Sequence, residues 1–131
     1  MPLLIGTGGN VGAQSSTVVI RGLATGEISP GRAAVIVLRE IGVGSLLGVS
    51  LGLVVFGWAF LLGRDLPVSI VVSLTMISIA VMAALTGAAL PFLFQKLKLD
   101  PAMVSAPFIT TIMDIFGVAL YFLVANLLLR L

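Results

Sequence analysis

The chain carries long stretches with no charged side chain. Gly42–Gly63 reads GVGSLLGVSLGLVVFGWAFLLG, Leu66–Gln95 reads LPVSIVVSLTMISIAVMAALTGAALPFLFQ, and between Asp100 and Arg130 the only charged residue is Asp114. Runs of this length are what a membrane-spanning helix needs, about 20 apolar residues each. Spanning strands are about 10 residues long with alternating polarity, which these runs lack. In hydrocarbon no water pairs with backbone N–H and C=O groups, so an open strand is excluded and a helix, which satisfies its own backbone, is required. Of 131 residues, 60% are apolar and only 9% charged, against about 25% charged in a soluble domain. The fold class expected is therefore an all-α polytopic transmembrane bundle, one domain over 1–131 that partners a lipid bilayer.

The same composition removes several functions. With no Cys and no His, thiol nucleophiles, imidazole bases, disulfides and the usual zinc and copper ligands are all missing. No nucleophile–base pair is visible, so an enzyme is not expected. A net charge of +2 is too small to argue for nucleic acid as a partner. No basic leader with a cleavage motif opens the sequence, so no signal peptide is predicted.

Four helical segments are expected, at about 2–24, 32–63, 67–95 and 101–130. The turn-rich TGEISPGR, the break RDLP and the break KLKLD separate them. The start of the second segment carries Arg32, Arg39 and Glu40 and is expected at the membrane interface. Arg21, Arg32 and Arg39 flank the first connection, Lys96 and Lys98 the third, and Arg64 alone the second. The excess of Lys and Arg places the first and third connections in the cytoplasm. The C-terminus then lies outside, with Arg130 a mild exception.

Asp114 falls about halfway along the last segment. A charged Asp at mid-bilayer costs about 2.5–3.5 kcal/mol on insertion scales, so it will not face lipid. Thr110 and Thr111 lie one turn before it, Gly117 almost one turn after, and Pro107 two turns before. A Pro within a helix leaves a carbonyl near Met103 or Val104 without its donor. In the first segment Thr7, Asn10, Gln14, Thr17 and Arg21 are spaced 3, 4, 3 and 4, which aligns them on one face of a helix. Gly6, Gly9, Ala13 and Ser16 lie beside them and are expected to admit a close neighbour. Asp114 reads either as a structural acceptor between helices or as the anionic group of an ion path. In the second reading the oxygen donors suit a hydrated dication, Mg²⁺ with Mn²⁺ or Ca²⁺ as alternatives. One carboxylate per chain is thin compensation for a dication, and a two-fold homodimer would supply two.

The stretches LLIGTGGNVGAQSSTVVIRGLATGEI, LREIGVGSLLGVSLG and GAALPFLFQKLKLDPAMVSAPFITTIMDIFGVALYFLVA resemble the membrane domain of the MgtE family of magnesium channels and transporters. The resemblance implies a homodimer with five membrane helices per subunit and a pore on the dimer axis. The four segments here correspond to the second to fifth helices, so a bundle lacking the first is expected. The family's ion-selective carboxylate matches Asp114, and positions around that ion match Thr110 and Gly117. Some members carry Asn where this chain has Ala106, near the cytoplasmic pore entrance. Longer members add an acidic domain and a CBS pair that do not match any part of these 131 residues. The expected function is Mg²⁺ transport across the bacterial inner membrane. The alternatives are a proton-coupled carrier with Asp114 as relay, or a non-conducting fragment or assembly partner.

Overall fold

The computed structural model describes residues 1–129. Arg130, expected at the outer end of the last segment, lies outside the described residues. Four long helices, with no strand among those residues, make up the structure: α1 (Pro2–Thr25), α2 (Ala33–Leu61), α3 (Leu66–Lys96) and α4 (Pro101–Leu129). The expected all-α transmembrane bundle is what the chain forms. α2, α3 and α4 are each long and apolar enough to cross a bilayer. At 24 residues α1 is also long enough to span, at about 1.5 Å per residue. Its Gly, Asn, Gln, Ser and Thr residues keep its hydropathy below that of the other three.

The breaks are chemical. Gly26 closes α1 at φ 76°, a left-handed conformation that costs glycine little. The chain then folds back so that Ile28 N–H donates to Gly22 O at 2.9 Å. A short 3-10 turn, Pro30–Arg32, leads into α2. Gly63 at φ 71° opens the next turn, and Pro67 occupies the first turn of α3. Prolines are tolerated there because those N–H groups have no helical acceptor.

α3 is the central helix. Half of its most apolar window is buried, against 17% for α2 and for α4. α1, α2 and α4 all pack on it, and α1 also packs on α4, whereas α1 and α2 scarcely meet. Lipid gives little hydrophobic drive for helix pairing, so close approach and dispersion must hold the bundle. Small residues supply the approach. Gly44, Gly48 and Gly52 of α2 seat against Ala84, Ala80 and Ile77 of α3. Ser73 of α3 adds an interhelical bond, its Oγ donating to Gly52 O at 2.9 Å. On the other flank Gly8 faces Ile79, and Gly12 meets Ile109 and the Ala83 carbonyl. The close-packed glycines of α1 against other helices are therefore Gly8 and Gly12, and Ser16, expected in that role, is buried as well. Gly6, expected in that role, has open space around it. Val11, Ala83, Ala84, Ile109 and Met113 form one core cluster, and Leu4, Met76 and Ile79 another.

The tightest point is the α1–α3 crossing, where a Cβ at Gly87 would overlap the Gly12 carbonyl. Gly87→Ala is expected to cost about 1–3 kcal/mol, as overpacking does. Gly57→Ala, with nothing within 4 Å of the added carbon, should be neutral. Thermal unfolding of the two variants in detergent checks both.

Candidate ion-path face

Two helices carry the residues in question. α4 presents Asp114 with thirteen helical residues before it and fifteen after. It therefore sits within about 2 Å of the helix midpoint. Pro107, Thr110, Thr111 and Asp114 are all exposed, with Thr110 at the border with α1. Thr110 Oγ1 donates to Ala106 O at 3.2 Å and Pro107 O at 3.0 Å. Thr111 Oγ1 donates to Pro107 O at 2.9 Å. The hydroxyl protons are thus turned back into the helix, and the oxygen lone pairs remain free to accept from water. Pro107 has no N–H, so the Met103 carbonyl lacks its helical donor as well. The face is an array of acceptors around one carboxylate.

α1 lies beside it in antiparallel register. A Cβ at Gly9 would stand 3.8 Å from Thr110 Cγ2, and one at Gly117 would stand 3.3 Å from Ile5 Cγ1. That register brings Asp114 level with the stretch between Ile5 and Gly9. Asn10, Gln14 and Thr17 are exposed and Thr7 is half-buried. Thr7 and Thr17 turn their protons back in the same way, onto Leu3 O at 2.7 Å and Ala13 O at 2.8 Å. Asn10, Gln14 and Thr17 wall a shallow cavity of about 480 Å³. A second cavity of about 310 Å³, with Ser16, Thr17, Arg21 and Ala106 in its wall, lies between α1 and α4 near the Arg21 end. Gly117 differs from its neighbours in being buried, against Ile5 and Ile79. No group of three or more metal-ligating side chains is assembled among the described residues.

The sequence profile of the MgtE family, described as a divalent cation transporter, matches residues 1–124. The chain belongs to the MgtE family. It is 43% identical over 130 residues to a magnesium transporter MgtE of Thermus thermophilus, a match covering 99% of this chain and 29% of that protein. It is 34% identical over 128 residues to the Enterococcus faecalis magnesium transporter MgtE, covering 98% of this chain and 28% of that one. The Bacillus subtilis magnesium transporter MgtE is also 34% identical, over 130 residues, covering 96% and 28%. The chain thus spans less than a third of the length of these relatives. With three apolar helices of spanning length, this MgtE-family chain is an integral membrane protein.

Glu40, which sequence reasoning grouped with Arg32 and Arg39, is enclosed by its neighbours and 6% exposed. It extends the row Gly44, Gly48, Gly52 by one turn, and that row faces the bundle. The spacing of four was the available signal. Arg39, one position earlier, is exposed.

The absence of native cysteine makes the face testable. Thr111→Cys in proteoliposomes should react with a membrane-impermeant thiol reagent at least tenfold faster than Met113→Cys, since Met113 is 1% exposed. Equal, slow labelling of both would place the α4 face against lipid.

Proposed function

We propose that this chain forms part of a divalent-cation path through the bilayer, with Mg²⁺ as the transported ion. Two copies pair about a two-fold axis, and Asp114 recognises the hydrated dication on that axis. The observation that carries this reading is the uncovered acceptor face of α4 at mid-helix depth. Asp114 has no covering helix within the chain, and hydrocarbon is a costly neighbour for it. Water and a second copy of the same face resolve that cost together, and two-fold pairing is the commonest oligomeric arrangement.

The donor set fits the ion. One carboxylate with hydroxyl, amide and carbonyl oxygens is hard-ligand chemistry. Mg²⁺ dehydrates reluctantly and keeps several waters, so a face of acceptors suits outer-sphere contact with its water protons. A single anionic group per copy repels anions. The relatives' printed name, magnesium transporter, supports the same ion.

Charge supports an orientation. The connections α1–α2 and α3–α4 share one end of the bundle and hold Arg32 and Lys98, with Lys96 at the end of α3, Arg21 about one turn inside α1 and Arg39 nearly two turns inside α2. The α2–α3 turn has Arg64 beside Asp65. The basic end faces the cytoplasm of the bacterial inner membrane, and α4 ends outside.

Asp114→Asn keeps the shape and removes the charge. It is expected to reduce Mg²⁺ uptake at least tenfold in proteoliposomes loaded with a magnesium-sensitive dye, and normal rates would reject Asp114 as the recognising group. Thr111→Cys is expected to form a disulfide between copies on mild oxidation in the membrane. Leu61→Cys, on the far helix α2, should not. A chain that stays monomeric under both conditions removes the shared path.

A further inference from the structure

Glu40 lies inside the bundle and plays no part in the α1–α4 face. It is the eighth residue of α2, about 10 Å from the helix start. With the 29-residue helix centred on a hydrocarbon core about 30 Å thick, that depth is just within the core. The side-chain hydrogen bonds involving α2 are those of Ser45 and Ser50 and the one Ser73 donates to Gly52. None reaches Glu40, and no ion pair forms to it among the described residues. The sealed polar side-chain atoms without a partner are the Ser16 and Ser105 hydroxyls. The Glu40 oxygens are not among them, so they keep an opening onto the cavity beside them.

That cavity, about 280 Å³, lies between α1 and α2, with Gln14 and Ser15 on one wall and Arg39, Glu40 and Leu47 on the other. At about 30 Å³ per water it has room for on the order of nine molecules. A buried carboxylate without a partner is costly, and the polar groups that share the cavity wall are the Gln14 amide, the Ser15 hydroxyl and the Arg39 guanidinium. We propose that Glu40, with the Gln14 amide oxygen and the Ser15 hydroxyl, forms a second cation site that takes one hydrated divalent cation in the α1–α2 cleft.

Its chemistry is carboxylate, amide and hydroxyl oxygen, the donors hard dications prefer. The volume admits an ion that keeps its inner waters. Arg39 on the rim weakens binding by repulsion, which makes the site one of modest affinity. Gln14 and Val18 wall both this cavity and that of the α1 polar stripe, so the site lies to the side of the path and shares a wall with it. α1 and α2 pack on different flanks of α3 and scarcely meet. The bound ion therefore braces the polar helix α1 against α2.

The inference does not rest on Asp114, and the test separates the two. Mn²⁺ is titrated by electron paramagnetic resonance against the full chain in lipid nanodiscs. Glu40→Gln is expected to lose one Mn²⁺ per chain, and Asp114→Asn to retain that ion. Arg39→Gln should tighten the same site at least threefold. A purely structural Glu40, held as an ion partner by Arg39, predicts the reverse: Arg39→Gln lowers the melting temperature and leaves the titration unchanged. Should Glu40→Gln not fold, Ser15→Ala, at a residue that walls this cavity and not that of the polar stripe, gives the same reading through at least threefold weaker binding. Unchanged Mn²⁺ stoichiometry in Glu40→Gln overturns the proposal. So do Arg39→Gln and Ser15→Ala titrations that both match the parent.

Discussion

The bundle depends on how closely other helices can approach α3. Lipid tails are as apolar as leucine, so burying leucine between helices gains little. Contact at short range is what remains. α3 offers Ala80, Ala83, Ala84, Gly87 and Ala88 along its buried surface, and its neighbours answer with Gly44, Gly48 and Gly52 on one side and Gly8 and Gly12 on the other. The large side chains point the other way. Leu38, Leu46, Leu53, Trp58 and Leu61 of α2 are all well exposed, as suits a surface solvated by lipid. In α2 the usual inside-outside rule for soluble domains is relaxed: its glycines are interior and its bulky apolar residues exterior.

That packing leaves α4 attached by one side only. Ile109, Met113 and Gly117 recur at intervals of four and face α1 and α3. Thr111 lies on the opposite arc, Asp114 on the flank, and Thr110 borders α1. The rigid inner row fixes the rotation of the helix, and that rotation decides where the carboxylate points. Gly117 is a positioning residue in this arrangement, because its missing side chain lets Ile5 seat against α4. α1 fulfils two roles at once. Gly8 and Gly12 fasten it to α3 and α4, while Asn10, Gln14 and Thr17 stay exposed.

Asp114 and Glu40 sit in contrasting settings. Asp114 is exposed at the middle of its helix. Glu40 is enclosed near the basic end, with a guanidinium at the rim and an amide and a hydroxyl opposite.

The sequence by itself determined the elements: uncharged runs of spanning length, bounded by Gly26, Gly63 and Pro101, admit only helices in hydrocarbon. It also determined the depth of Asp114, because helix rise per residue is fixed. The spacing of the α1 polar residues was legible for the same reason. Rotation about each helix axis was decided only by the tertiary structure. In a soluble helix, polarity marks the outer face; in α2 and α3 nearly every face is apolar, so periodicity carries no such mark. Tertiary packing alone chose Gly8 and Gly12 over Gly6 as the contact row, turned Gly117 inward, and enclosed Glu40 beside a cleft. Close approach of backbones sets helix rotation in lipid, and which backbones meet is a property of four helices together.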